Sequence, residues 1–189
     1  MDGKRMTIKG TGPMELDAFI KDEYPDRYRE WLDTLSPAAK KIYSGGVMAF
    51  ELYPLYDSLI EPTQKMCDLF YDGDIKGAWI SGQYSAKYAL KGFYKVFFRF
   101  GSPQFIIDRA AKVFSTYYPE GKIRVAESSS GRCVLQIFEF PEPYLILEYN
   151  IAGWLEGVLE LLERKTRKVE ITKSLAKGDS VTEFVATWT

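Results

Sequence analysis

Side chains that usually carry catalysis or bind metals are scarce in this sequence of 189 residues, which contains no histidine and two cysteines. Histidine is the usual general base near neutral pH, a frequent transition-metal ligand and the common axial ligand of haem. Its absence excludes Ser-His-Asp and Cys-His catalysis and the ordinary histidine-based zinc and iron sites. Carboxylate, lysine and cysteine chemistry stay open.

The two cysteines are expected to be chemically quiet. Cys133 alternates with Leu135 and Ile137 in a strand-like run, which predicts a buried thiol. Cys67 follows Met66 on a predicted helix, where partial exposure is expected. Two cysteines are too few for a disulfide framework or a cysteine-rich zinc site, and no histidine exists to stabilise a thiolate. We therefore predict no catalytic cysteine.

Three acidic residues, Glu156, Glu160 and Glu163, lie outside the apolar stripe of a predicted helix. Carboxylates at this spacing form a solvated helix face far more often than a site. A di-iron carboxylate site would use an E-x-x-H motif, which a chain without histidine cannot supply. We therefore predict no metal site, no cofactor and no enzymatic activity.

Aromatic side chains are concentrated at residues 93–100, FYKVFFRF. Phe93 and Phe97 are four residues apart and share one face of a predicted helix. They either pack in the core or line a pocket for an apolar ligand, because pockets of that kind use the same residue types. On the second interpretation the candidate ligand-binding residues are Trp79, Tyr84, Phe93, Phe97 and Phe105.

The overall composition describes one domain with no evident affinity for nucleic acid or membranes. The formal charge is −1 and the isoelectric point about 5.7, so no basic field favours either partner. The longest apolar stretch is interrupted by Glu148, Glu156 and Glu160, which predicts no membrane span. The first residues, MDGKRMTIKG, lack the apolar region of a signal peptide. We expect a cytoplasmic protein.

The first quarter of the chain predicts short helices outside the main core. Residues 1–12 are rich in glycine and are expected to form a flexible tip. Residues 13–45 contain three helical patterns, the third of which begins at Ser36-Pro37, and are interpreted as an N-terminal helical appendage. A ligand-binding-like core is expected over residues 50–189.

The rest of the chain changes period, from helical to alternating. Helices are predicted near residues 54–70, with a kink or break at Pro62, over 75–100 and over 102–118. The runs 122–127 and 132–140 alternate and predict an antiparallel hairpin. A helix over 150–165 follows, and then two strands, 169–175 and 181–188, joined by a turn at Gly178-Asp179. This order predicts an α+β fold.

Two glycines, Gly153 and Gly157, lie one turn apart on the predicted helix 150–165. Each interior glycine costs a helix about 1 kcal/mol relative to alanine, so the pair needs a structural reason. Close approach of another helix, a strand or a second subunit is the first explanation. A ligand passing over the bare backbone is the alternative.

The run EYNIAGWLEGVLELLERKTRKVEITKSLAKGDSVTEFVATW resembles the C-terminal module shared by the TRAPP small subunits, ligand domains of the 4-vinyl-reductase type and haem-NO-binding domains. The matching residues are Asn150, Gly153, Leu155, Gly157, Leu159, Glu160, Gly178, Asp179, Phe184 and Trp188. The resemblance implies a helical layer packed on a four-stranded antiparallel sheet, often dimeric, with an apolar tunnel or pocket between the layers. The order of elements suggests a bacterial relative of unassigned role.

What that pocket holds differs between the three branches. The resemblance implies an acyl chain in the TRAPP branch, a small hydrophobic molecule in the vinyl-reductase branch and haem in the third. A chain without histidine lacks the proximal haem ligand. Gly101 and Ser102 stand where acylated TRAPP-type subunits carry cysteine, so a thioester is not available there.

We therefore expect a non-catalytic sensory or adaptor module that holds a small apolar, lipid-like ligand noncovalently. The expected partners are a hydrophobic small molecule or fatty acid and a protein partner or homodimer, without nucleic acid. The alternative is a pure interaction or assembly module with a filled core and no ligand.

Overall fold

The computed structural model describes residues 6–91, 112–162 and 166–189. Its labelled helices are α1 Thr11–Glu23, α2 Tyr28–Thr34, α3 Pro37–Ser44, α4 Glu61–Phe70, α5 Lys76–Lys91 and α6 Leu145–Leu161. Its strands are β1 Thr7–Lys9, β2 Leu52–Pro54, β3 Lys122–Ser129, β4 Arg132–Phe138, β5 Arg167–Lys173 and β6 Thr182–Trp188. Residues 112–117 are helical, and a π-helical turn, Tyr56–Ile60, leads into α4.

Four strands form one antiparallel sheet in the order β3-β4-β6-β5. The register places Leu135 of β4 opposite Phe184 of β6, and both are buried under the helical layer. Gly178, with a φ of +97°, occupies the left-handed conformation that ends the short turn before β6. The predicted α+β fold, a helical layer on a four-stranded antiparallel sheet, is confirmed.

Helices α5 and α6 pack together more closely than side chains would allow. A Cβ added to Gly82 would lie 2.0 Å from the carbonyl oxygen of Asn150, and one added to Gly153 would lie 2.0 Å from that of Trp79. Gly157 faces Ala86 in the same way, with 2.8 Å between a Cβ placed on the glycine and the alanine Cβ. Gly153 and Gly157 therefore allow the close approach of another helix, which was the first explanation for the pair.

The described part of the first 45 residues packs against the rest of the chain. Within the predicted tip, Thr7–Lys9 forms strand β1, which pairs with β2, and Met6 and Ile8 are fully buried. Within the predicted appendage, Phe19 and Trp31 belong to the same buried cluster as Phe184 of the central sheet. The described part of the first 45 residues is therefore built into the one core.

Local signals explain where several helices begin. Ser36 caps α3 by accepting a hydrogen bond from the backbone N–H of Ala39, as its position before Pro37 predicts. Pro62 lies in the first turn of α4, directly after the π-helical turn, and the carbonyl oxygen of Ser58, four residues earlier, accepts a hydrogen bond from the Tyr43 hydroxyl instead. Helix α6 begins at Leu145, five residues earlier than predicted, directly after Pro143 and Tyr144. The predicted helices 75–100 and 102–118 fall partly outside the described residues.

Candidate functional site

A cavity of about 80 Å³ lies between the helical layer and the sheet, and we call it the interlayer cavity. Helices α1, α5 and α6 and the helical residues 112–117 surround it, and β3 and β4 close it from the side of the sheet. Its described lining residues are Gly12, Glu15, Leu16, Leu59, Ser81, Ser85, Val113, Phe114, Tyr117, Tyr118, Ile123, Leu135, Asn150, Ile151, Trp154 and Leu155. The lining is mostly apolar, with a few polar groups, as in small-molecule sites.

Glu15 supplies the carboxyl group of this cavity. The residue lies in α1 beside Leu16 and one turn before Phe19, both of which are core residues. Only 5% of Glu15 is exposed to solvent. A carboxyl in such surroundings loses its hydration, so its charged form is strongly disfavoured.

The Glu15 carboxyl is held by hydroxyl groups. The hydroxyl of Tyr117 donates to Oε1 over 2.8 Å, and the Ser85 hydroxyl also hydrogen-bonds to the carboxyl. Burial raises the pKa of Glu15 to about 8, although both hydrogen bonds lower it. The carboxyl is therefore largely protonated at neutral pH and can lose its proton if a positive charge arrives.

Tyrosines beside Glu15 stay protonated for the same reason. Burial raises the pKa of Tyr117 far above its ordinary value, and the neighbouring Glu15 carboxyl raises it further. Burial and the charge of Glu15 also raise the pKa of Tyr118. Both phenols are therefore neutral near pH 7.

Two more polar side chains form a fixed pair at the α5–α6 side of the cavity. Asn150 donates from Nδ2 to the Ser81 hydroxyl over 3.0 Å and to the carbonyl oxygen of Ala78 over 3.3 Å. The Ser81 hydroxyl donates in turn to the same Ala78 carbonyl over 2.9 Å. These bonds orient both side chains before any ligand arrives.

Aromatic rings form much of the remaining wall. Phe114 and Tyr118 lie with their ring centroids 4.9 Å apart, and Trp154 is a lining residue from α6. Ring faces carry negative electrostatic potential and attract cations as well as apolar groups. The cavity therefore combines a carboxyl, hydroxyls and aromatic surface.

The predicted ligand-binding residues lie elsewhere or outside the described chain. Trp79 donates from Nε1 to Glu156 over 2.6 Å and packs edge-on against Tyr149, whereas Tyr84 hydrogen-bonds to Asp22. Neither Trp79 nor Tyr84 is among the described residues that line the interlayer cavity. Phe93, Phe97 and Phe105 lie outside the described residues. Their binding role stays a prediction.

The acidic residues of α6 form contacts with neighbouring elements, whereas the sequence predicted a solvated helix face. Besides Trp79, the Gln83 side chain donates to Glu156 over 2.9 Å. Glu160 forms ion pairs with Lys87 over 3.0 Å and with Arg167 over 3.6 Å. These carboxylates join α6 to α5 and to β5, and Glu163 lies outside the described residues.

Metal and thiol chemistry find no support in the parts of the chain that the structure describes. No group of three or more acidic or cysteine side chains there could hold a metal ion. Cys67 is fully buried, contrary to the expected partial exposure, and burial raises the pKa of its thiol to about 12. Cys133 is buried as predicted.

No helix among the described residues is long and apolar enough to cross a membrane.

Glu15 and Tyr117 are the residues that sequence reasoning missed. One signal was present, because Glu15 is a charged residue on the apolar face of α1, next to Leu16 and four residues before Phe19. Tyr117 carried no such signal. It meets Glu15 across 102 positions of the chain, a contact that only the tertiary fold creates.

No protein-family model and no curated protein matches the sequence. Solved structures of H-NOX proteins do match the fold over nearly its whole length. An H-NOX protein from S. oneidensis, solved in the Fe(II)NO ligation state, has 12% identity and a TM-score of 0.74, with 96% of this chain and 99% of that chain covered.

Two further H-NOX structures match over similar lengths. The Fe(II) unliganded protein from K. algicida has 11% identity and a TM-score of 0.68, with 96% of this chain and 97% of that chain covered. The IWP-051-bound protein from Shewanella woodyi has 14% identity and a TM-score of 0.64, with 95% and 94% covered. The chain therefore has a haem-NO-binding-like fold, whereas the closer resemblance to TRAPP and 4-vinyl-reductase domains stays a prediction.

Proposed function

We propose that this chain is a non-catalytic ligand-binding module, of the sensory or adaptor kind, that holds a small apolar molecule noncovalently in the interlayer cavity. The observation that carries the proposal is the cavity itself, which is lined mainly by apolar and aromatic side chains around one buried carboxyl. Sites with this composition are typical of small-molecule binding. The similarity to H-NOX structures supports the fold in which such a cavity forms, at 12% identity.

Haem, which H-NOX proteins carry, does not fit the residues of this chain. The sequence has no histidine, Cys67 is not among the described residues that line the cavity, and the Tyr117 hydroxyl is bonded to Glu15. A cavity of about 80 Å³ is roughly half the size of the engineered cavity, about 150 Å³, that admits benzene. A porphyrin is several times larger than benzene.

The same volume limits the ligand. By comparison with the benzene cavity, the described space favours a ligand smaller than benzene. This favours a compact molecule over a long acyl chain. The predicted fatty acid is therefore the less favoured ligand, and a small hydrophobic molecule is the one that we propose.

Xenon binding tests the proposal, because xenon enters small apolar cavities whatever the natural ligand is. We expect a saturable change in the 129Xe chemical shift when xenon is added to the purified full chain. Leu155→Phe should remove that change, since Leu155 is a half-buried helical leucine that lines the cavity.

The matched control is Leu69→Phe, which alters a half-buried helical leucine outside the described lining. This variant should bind xenon as the original chain does. An original chain that binds no xenon, or a Leu155→Phe variant that binds it unchanged, would contradict the proposal. The first result would favour the alternative, an assembly module with a filled core that acts through a protein partner or a second copy.

A further inference from the structure

We infer that the interlayer cavity takes a small aliphatic amine, whose ammonium group pairs with the Glu15 carboxylate while its apolar part lies among the aromatic rings. This inference rests on the proposed function and names the chemical class of the ligand. Its basis is the placement of one carboxyl, with no basic partner among the described lining residues, inside an aromatic and apolar cavity.

The first step concerns the charges around Glu15. The described residues that line the cavity include neither lysine nor arginine, and Glu15 is their only acidic member. Among the described lining residues, the other titratable groups are Tyr117 and Tyr118, both of which stay neutral. A ligand that brings a positive charge therefore meets a carboxyl that no cation among the described lining residues neutralises.

The second step concerns hydrogen bonding. An ammonium group has three N–H donors and no acceptor, so it needs several oxygen atoms close together. Glu15 provides its carboxyl, and Ser81 and Ser85 provide hydroxyl oxygens in the same wall. Phe114 and Trp154 also line the cavity, and aromatic residues can add cation–π attraction, which strengthens where water is excluded.

The third step excludes the opposite charge. A carboxylate ligand, including a fatty-acid head group, would place an anion beside Glu15. The cavity already disfavours the ionised form of Glu15, so it would disfavour a second anion as well. An alcohol would form an ordinary hydrogen bond with the neutral carboxyl and would lack the attraction of an ion pair. The amine is the head group that turns the burial of Glu15 into a favourable interaction.

Proton release accompanies this binding. The free protein holds Glu15 as the neutral acid at pH 7, and the amine arrives as an ammonium ion. Formation of the ion pair therefore sends the carboxyl proton to solvent while the amine keeps its own. Since the pKa of Glu15 is about 8, close to one proton should be released per amine bound at pH 7.

Three probes of about five non-hydrogen atoms each test the inference: isobutylamine, isobutanol and propionate. Titration calorimetry at pH 7, in phosphate and in Tris, gives the affinity and the number of protons released. We expect isobutylamine to bind at least about tenfold more tightly than isobutanol, with near-stoichiometric proton release, and propionate to bind more weakly than either. In Glu15→Gln the preference for the amine and the proton release should disappear, while xenon binding persists.

Equal affinity for amine and alcohol in the original chain would overturn the inference, as would a preference retained in Glu15→Gln. If none of the three probes binds to a chain that still binds xenon, the inferred amine ligand is wrong and the proposed function is not contradicted. If xenon does not bind either, both the amine ligand and the proposed function are contradicted. The two ideas therefore fail on different measurements.

Discussion

Two buried glutamates, Glu15 and Glu148, have nearly the same exposure, 5% and 4%, yet their hydrogen-bond partners differ. Glu148 lies in the first turn of α6 and accepts hydrogen bonds from the Ser174 and Thr182 hydroxyls and from the backbone N–H of Ala176. All three donors belong to the segment that joins β5 to β6 or to the start of β6. Glu148 therefore ties the helix to the sheet.

Glu15 is in the opposite situation. Its described partners are two hydroxyls, Tyr117 and Ser85, and its carboxyl lines the interlayer cavity. The positive end of a helix dipole stabilises an anion only in the first turn of the helix. Glu15 is the fifth residue of α1 and lies beyond that turn. The comparison teaches that burial alone does not define a functional carboxyl. What distinguishes Glu15 is that its carboxyl lines the interlayer cavity with no basic residue among the described lining.

The largest effect is expected when the closed network is broken. Glu148→Ala leaves the Ser174 and Thr182 hydroxyls and the Ala176 N–H without their acceptor in a buried site, and each unsatisfied group costs about 1–3 kcal/mol. We expect the free energy of unfolding in urea to fall by about 3–5 kcal/mol.

Glu170→Ala is the matched control for that loss. Glu170 is an exposed glutamate on β5 whose ion pair with Lys168 is solvated, so its removal should cost less than about 1 kcal/mol. Equal losses in the two variants would show that the Glu148 network contributes little, and the contrast with Glu15 would fail.

The next effect is a dependence on pH that belongs to Glu15. Its pKa is about 8 in the folded chain and about 4.5 when unfolded, so between these values unfolding releases a proton. The free energy of unfolding contributed by Glu15 therefore falls as pH rises, by at most about 1.4 kcal/mol per pH unit. Above about pH 8 both states are ionised and the contribution stops changing.

Glu15→Gln removes this titration and keeps the shape of the side chain. Between pH 5.5 and 7.5 we expect the original chain to lose about 2–3 kcal/mol of stability relative to the variant, as measured by urea unfolding at each pH. Every other carboxyl titrates in both proteins and cancels in the difference. Parallel stability profiles would mean that Glu15 has an ordinary pKa and that the cavity is wetter than the structure indicates.

The sequence predicts those parts of the fold whose pattern lies within one short stretch of the chain. The sheet was predictable, because the alternation in 132–140 and 181–188 and the turn glycine Gly178 are local features. The glycines of α6 also indicated close packing, which α5 provides. Strand β1 was missed because Ile8 pairs with Tyr53, a partner 45 positions away that no local pattern announces.

The site was harder to predict for the same physical reason. The aromatic candidates were chosen where aromatic residues are dense along the chain, whereas the interlayer cavity collects single side chains from several separate elements. A charged residue on an apolar helical face, as at Glu15, was the one available signal. The same signal would also have selected Glu148 beside Leu147, so composition could not separate a structural carboxyl from a binding one.

The smallest expected effect comes from Tyr117→Phe, which removes the hydroxyl that donates to Glu15 over 2.8 Å. Because that hydrogen bond lowers the pKa of Glu15, its loss should raise the pKa above about 8 and shift the alkaline end of the titration upward. The cost in stability should be about 1 kcal/mol at pH 6, where the carboxyl is neutral, and should grow toward pH 9, where the lost bond is to a charged group. Tyr24→Phe removes a hydroxyl that donates to the Tyr71 hydroxyl over 2.9 Å and should show a loss independent of pH over this range. If both variants lose stability equally at pH 6 and pH 9, the Tyr117 hydroxyl does not govern the ionisation of Glu15.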